Sequence, residues 1–273
     1  MTGLRQTYPL ALLLKAAGLA RSTFYYQTKV QQAGDRYARL KADIRSHYER
    51  HRGRYGYRRI TAALKQANHK TVQRLMQAMG LKSLVRPKKY RSYRGTMATV
   101  PNVLQRCFEA ERPNQKWVTD VTEFNVLGQK LYFSPVMDLY NGEIVAYEMQ
   151  SRPHLPLVGN MLKKALATLS GQDAPLLHSD QGWQYQHPAY RRQLAEHGLT
   201  QSMSRKGNCL DNAAMESFFG TLKSELFHLN KFTSIGQLHK EIGRYIRYYN
   251  HHRIKTKLKG LSPVQYRTQP LAA

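Results

Sequence analysis

The chain has 273 residues, with 43 lysines and arginines against 17 aspartates and glutamates, a formal charge of +26. At 41% hydrophobic it can bury a core, which argues against wholesale disorder. The apolar run at residues 10–14 is cut by Lys15 and followed by no small-residue cleavage site, and Cys107 and Cys209 stand far apart outside any CxxC pattern. Neither a membrane helix, a signal peptide, a disulfide scaffold nor a cysteine zinc site is therefore expected, and the expected location is cytoplasmic.

The charge is unevenly spread. Residues 1–112 hold 24 lysines and arginines and five acids, a net +19, and residues 113–273 a net +7. A front part of this kind is expected to meet a phosphate backbone and to hold most of the nucleic-acid affinity. An anionic membrane is disfavoured, because the basic residues alternate with tyrosines rather than facing a continuous apolar stripe. Residues 8–26 predict two short helices about a turn at Gly18, with Ser22 as a cap and Arg21 at the start of the second. That pattern resembles a helix-turn-helix; a plain helical hairpin packing on its neighbours is the competing possibility. Residues 35–50 predict an amphipathic helix with Tyr37, Leu40 and Ile44 on one face. The loop that follows carries Arg52, Arg54, Arg58 and Arg59 among glycines and tyrosines, suited to phosphates and bases. A second helix pair, 60–66 and 68–79, ends at Gly80 and carries Lys70 and Arg74. Residues 82–94, with Lys88 and Lys89 and no acid, read as part of a basic linker, either DNA-contacting or merely solvated. The expected division is a helical region 1–81, a linker 82–112 and a core 113–273.

From Pro113 the pattern changes to three strands, 117–124, 131–140 and 143–150, with turns at Gly128 and Asn141-Gly142. A helix over 155–169, a strand over 175–178, a helix over 188–197 and a strand over 199–202 follow. A loop with Arg205 and Lys206 leads to helices over 212–228 and 235–249. The order implies a mixed sheet covered by helices, an α/β fold. Three acids stand out by position. Asp120 falls inside a strand, where aspartate is disfavoured; Asp180 lies just past a buried strand; Glu216 lies in the first turns of a helix. Acids converging from separate elements at a strand end make an oxygen-rich site for hard divalent cations. Asp211, in contrast, reads as an N-cap. His47 and His51 share helical spacing but find no third metal ligand.

Three segments carry a more specific signal: Trp117-Val118-Thr119-Asp120-Val121-Thr122, His178-Ser179-Asp180-Gln181-Gly182-Trp183-Gln184-Tyr185, and Ser202-Met203-Ser204-Arg205-Lys206-Gly207-Asn208. With the segment from Asp211 through Glu216 to Glu225, they resemble the second-frame transposases of the IS-three family of bacterial insertion sequences. Asp180 and Glu216 have 35 residues between them, the spacing of that family's acidic triad. The resemblance runs from about Tyr8 to Tyr266, ending in Lys259-Gly260-Leu261-Ser262-Pro263-Val264-Gln265-Tyr266. It implies a retroviral-integrase-like, ribonuclease-H-like core preceded by an all-α DNA-binding region. Asp120, Asp180 and Glu216 would ligate Mg²⁺, with Mn²⁺ as an expected substitute, and Lys223 would accompany them as a basic residue seven after the glutamate. The implied activity is DNA cleavage and strand transfer without a covalent intermediate, on double-stranded transposon ends and target. The implied partners are further copies of the chain and the product of an upstream frame, and the implied place is the bacterial nucleoid. A catalytically silent DNA-binding regulator is the alternative. The connection at 65–69 is a few residues shorter than is usual for the family, and no heptad run is present.

Overall fold

The computed structural model describes residues 3–32, 34–65, 67–85, 100–171, 173–205 and 209–269. Its front is helical: α1 Leu10–Ala16, α2 Arg21–Gln32, α3 Ala38–Arg50, α4 Tyr57–Leu64 and α5 His69–Ala78. Gly18, at φ +63°, turns the chain between α1 and α2, a conformation that costs glycine little. Helix α2 starts ahead of Ser22, so this serine lies inside the first turn and is not the cap. Asn68 caps α5 by accepting the Lys70 N–H. The short connection before it turns at Lys65, with φ +55°, and Gln66 lies outside the described residues. Ile44, Ile60, Val72, Leu75 and Met76 close with Tyr55 into a small core. Full burial of each aliphatic is worth roughly 1.5–3 kcal/mol. Ile254, from near the other end of the chain, packs on this cluster, so the helical region leans on the tail.

The sheet has six strands: β1 Lys116–Thr119, β2 Thr122–Val126, β3 Gln129–Asp138, β4 Ile144–Gln150, β5 Leu176–Ser179 and β6 Thr200–Met203. The expected strand over 117–124 is two strands in one register, β1 and β2, lying end to end along β3. The break falls at Asp120, opposite Pro135. Proline has no N–H to give the ladder, and its carbonyl is taken by the Thr119 hydroxyl at 2.9 Å. Leu127 and Gly128, both at positive φ, form the tight hairpin between β2 and β3. Strands β1, β5 and β6 run parallel, while β2, β3 and β4 are antiparallel to their partners.

Helices cover both faces of the sheet. On one side α6 Leu155–Leu166 and α8 Pro188–Glu196 pack on Trp117, Val136 and Ala146. Helix α6 ends three residues before the expected 169. A one-turn helix, α7 Trp183–Gln186, precedes α8 and is too short to leave a periodic pattern in the sequence. On the other side α9 Ala213–Leu222 and α10 Ile235–His251 pack on Val118, Phe124 and Phe133. The tail ends in α11 Pro263–Arg267, fixed by a capping box between Ser262 and Gln265.

The helix expected over 212–228 is α-helical only to Leu222; from Lys223 to Phe227 it widens into a π turn, closed by the His228 N–H on the Lys223 carbonyl. Inside that turn Glu225 is buried and fully engaged. Arg253 donates to both of its oxygens, at 2.8 and 2.6 Å, Tyr245 to Oε2 at 2.9 Å, and Arg59 to Oε1 at 3.3 Å. The Arg54 Nε–H adds a bond to the Glu225 carbonyl at 2.9 Å. Burial alone would push the Glu225 carboxyl up, but the Arg253 guanidinium holds it below the usual glutamate range. This cluster ties the front helices to the core. Removing one partner of a buried ion pair typically costs about 3–5 kcal/mol. Glu225→Ala is therefore expected to lose about that much in urea unfolding, and a loss below about 1 kcal/mol would show the cluster to be dispensable.

Candidate active site

The last pair between the parallel strands β1 and β5 is Val118 opposite His178. Two residues further along each strand come Asp120 and Asp180, so both acids sit on one rim of the sheet. Each is held by a local backbone amide. Asp120 Oδ1 accepts the Val121 N–H at 2.7 Å, and Asp180 Oδ1 accepts the Gly182 N–H at 2.9 Å. Among the described residues no hydrogen bond occupies the Oδ2 atom of either. A Cβ at position 182 would stand 2.9 Å from Asp180 Oδ1 and 2.6 Å from Gln184 Nε2, so a larger residue there would displace one of these side chains.

Helix α9 supplies the third acid. It buries Met215, Phe218, Phe219 and Leu222 against the sheet, which leaves Glu216 exposed on the flank beside the strand ends. Burial pushes the Asp120 carboxyl well above the ordinary aspartate range, and the charges of Asp180 and Glu216 push it further. Asp180 is raised by burial as well. Lys223 opposes this: its charge pulls Asp120 down, and its ammonium lies 5.4 Å from the centre of the Phe124 ring. Burial lowers the Lys223 pKa, while Glu123 and Asp120 counteract that fall. The four residues singled out in the sequence thus share one electrostatic neighbourhood.

Two further side chains belong to the site. Asn212 is buried and donates from Nδ2 to the Thr119 carbonyl at 3.2 Å, while its Oδ1 has no partner among the described residues. Tyr185 is wholly buried under the acids, where its pKa is raised by burial and then by Asp120 and Asp180. Its hydroxyl lies near Thr119 without meeting hydrogen-bond geometry. Tyr185 closes the segment from His178 to Tyr185, but nothing in the spacing marks it as lying near the acids.

The residues expected to touch DNA divide into groups. Arg21, Arg58, Lys70 and Arg74 are exposed on the front helices, and Arg52 is exposed in the turn between α3 and α4. Arg54 and Arg59 are not free for phosphates as expected. Arg54 is buried against the rings of Tyr245 and Tyr248, and Arg59 is paired with Glu225. Arg205 is exposed but bonds Asp211 through its side chain at 3.1 Å. Asp211 is not an N-cap: it is fully buried, and Arg106, Arg205 and Asn102 converge on it. Lys88, Lys89 and Lys206 lie outside the described residues. His51 stacks on Tyr55 with ring centres 3.8 Å apart, and its Nδ1 meets the Tyr248 hydroxyl at 3.1 Å.

A mixed sheet with two acids at adjoining strand ends, a third on the flanking helix and a helical region in front defines an integrase-type catalytic core with a DNA-binding module. Comparison with known proteins agrees. Integrase core domain models match residues 110–209 and 216–271, and an HTH-like domain model matches residues 35–89. The chain is 56% identical over 271 residues to the putative transposase InsK for insertion sequence element IS150 of Escherichia coli K12, covering 97% of this chain and 96% of that protein. It is 34% identical over 234 residues to the transposase InsF for insertion sequence IS3A of the same organism, covering 82% and 81%. The fold resembles a chain of the simian T-cell lymphotropic virus intasome in complex with PP2A regulatory subunit B56 gamma. There the TM-score is 0.52 at 16% identity, over 85% of this chain and 76% of that one. The protein belongs to the IS150/IS3 family of insertion-sequence transposases. Among the described residues, no helix is long and apolar enough to cross a membrane.

The strand that carries Asp180 is anchored by a titratable group. His178 is fully buried, with Nδ1 2.8 Å from Ser202 Oγ and Nε2 3.0 Å from Ser204 Oγ, and burial lowers its pKa to about 4. A histidine depressed in the folded state stabilises the fold above the unfolded value near 6.5, and that stability is lost as pH falls through 4. The loss attributable to this side chain should be about 3 kcal/mol. Chemical denaturation at pH 7 and pH 4.5 should show a shallower pH dependence in His178→Gln than in the wild type. Equal slopes would remove His178 as a source of acid lability.

Proposed function

We propose that Asp120, Asp180 and Glu216 are the metal ligands of a DDE-type transposase that cuts and joins DNA, with Lys223 contacting the reacting phosphate. The observation that carries this is the placement of Asp120 and Asp180 at one register level of parallel strands, with Glu216 and Lys223 within electrostatic reach of Asp120. The donor set fits a hard divalent cation. It consists of carboxylate oxygens, two of them desolvated beside like charge, an arrangement that costs free energy until a cation offsets it. The unpartnered Asn212 Oδ1 offers an acceptor at the same place. Among the described residues no three acid, histidine or cysteine side chains stand close enough to share one ion. Coordination therefore calls for side-chain rotation, and Glu216, exposed on α9, has room to turn.

Mg²⁺ or Mn²⁺ bound there would activate a hydroxyl nucleophile and stabilise the leaving oxygen of an in-line displacement at phosphorus. The chain's own residues would do the rest. Asp120 and Asp180 fix one side of the site through their backbone bonds, and Glu216 closes it from α9. Lys223, desolvated and beside Asp120, would orient a nonbridging phosphate oxygen. Water as nucleophile gives cleavage, and a DNA 3′-hydroxyl gives strand transfer. Joining two transposon ends to one target calls for more than one copy of this single acid cluster, so we take the active form to be a homo-oligomer on double-stranded DNA. The product of an upstream frame is the proposed additional partner, and the nucleoid the proposed place of action. A silent regulator would have no need to keep three acids around one desolvated rim.

With labelled terminal inverted repeats and Mg²⁺, Asp120→Asn, Asp180→Asn and Glu216→Gln should each abolish cleavage while DNA binding persists. A variant that cleaves at the wild-type rate takes its residue out of the ligand set. Lys223→Ala should slow cleavage at least about tenfold, roughly 1.4 kcal/mol of barrier, with an unchanged melting temperature. An unaltered rate would reduce Lys223 to a packing residue.

A further inference from the structure

Helix α9 has two faces of opposite chemistry. One is buried in the sheet; the other continues outward from Glu216 through Ser217, Gly220, Thr221 and Ser224, all small. Opposite this face, across a cleft of about 890 Å³, stand Tyr57, Arg58 and Arg59 at the start of α4. Lys223 and His228 line the same cleft, and Lys223, within electrostatic reach of Asp120, is the residue that joins it to the acid site.

The lining is electrostatically one-sided. Among the described residues its sole acid is Glu225, and both oxygens of that carboxylate are already taken by Arg253, Arg59 and Tyr245. Arg58 is exposed; its Nε–H meets the Tyr57 hydroxyl at 3.2 Å, and its two terminal nitrogens have no hydrogen bond among the described residues. Helix α4 follows Gly56, which supplies no side-chain cap, and has no acid in its first turn, so its positive end also faces the cleft. Serine and threonine hydroxyls on the opposite wall can donate to phosphate oxygens without filling the space. The volume lies within the roughly 300–1,000 Å³ of cavities that hold a single small ligand, which suits a short stretch of one strand and not a duplex.

We propose that this cleft is a strand-binding channel, holding the sugar–phosphate backbone of one unpaired DNA strand as it runs from the acid cluster between α9 and α4. The proposal rests on the transposase reading above and adds to it the path of the strand. It also separates the arginines of the front loop by role: Arg54 and Arg59 build the wall, and Arg58 faces the phosphates.

The test uses the full chain without metal, so that catalysis plays no part. Arg58→Glu and Thr221→Glu place a carboxylate on either wall, and Arg192→Glu, on the exposed side of α8, makes a charge reversal far from the cleft. Fluorescence anisotropy would follow binding to a blunt duplex and to the same duplex with a single-stranded 3′ extension. Both cleft variants should bind the extended DNA at least about tenfold more weakly than wild type, with less than about threefold change on the blunt duplex. Arg58→Glu should also lower the magnitude of the logarithmic salt slope by roughly one, as expected when a phosphate contact is lost. Arg192→Glu should leave both measurements at wild type. Wild-type affinity for the extended DNA in both cleft variants, or equal losses on the two DNAs, would overturn the channel. Should Thr221→Glu melt early, Arg58→Gln carries the same expectation without burdening the helix. Failure of the wild type to bind either DNA would overturn the transposase reading itself, an outcome distinct from loss of the channel.

Discussion

The parallel pairing of β1 with β5 is the constraint on which the site depends. Two strands sixty positions apart in the chain are brought into a register that sets Asp120 beside Asp180. Parallel neighbours need a crossover, and here it consists of the β2–β3–β4 meander and α6, which also builds most of the sheet. The proximity of the two carboxylates is electrostatically unfavourable: beyond the effect of burial, the charge of Asp180 pushes the Asp120 carboxyl further up. What holds them there is packing. Trp117 and Val118, adjacent in β1, are buried on opposite faces of the sheet, so the strand end cannot retreat without opening one core or the other.

Local order was largely legible in the sequence. The turns at Gly128 and Asn141-Gly142 rest on neighbours within a few positions, and each formed near where its pattern placed it. The three acids we propose as metal ligands were singled out mainly through the 35-residue interval and the motifs around it, and the fold brings Asp120 and Asp180 to neighbouring strand ends. What could not be read depends on distant partners. Asp120 looked like a mid-strand residue because the proline that interrupts its ladder lies across the hairpin at 135. Arg54 and Arg59 looked like phosphate ligands because the carboxylate and tyrosines that bind them come from residues 225 to 248. Asp211 preceded a helix and so looked like a cap, whereas Arg106, 105 positions earlier, draws it into a buried ion cluster.

The π turn adds a geometric effect of its own. By widening the helix at Lys223 it ends the regular α9 frame at the residue seven beyond Glu216, and Lys223 then lies against Phe124 and feels Glu123 and Asp120. Two residues later the same turn buries Glu225. One irregularity thus serves the acid cluster on one side and the docking of the front helices on the other.

The Glu225 cluster also bears on how such proteins can diverge. Its members are drawn from three stretches of the gene, around codons 54–59, 225 and 245–253, and any one of them is unfavourable alone in the interior. A recombination event that exchanged the front helices between relatives would part the arginines from their glutamate unless both parents carried the same set. The front helices and the catalytic core should therefore be exchanged as a matched pair, and change should be accepted by substitution on the exposed helix faces more readily than by shuffling whole modules.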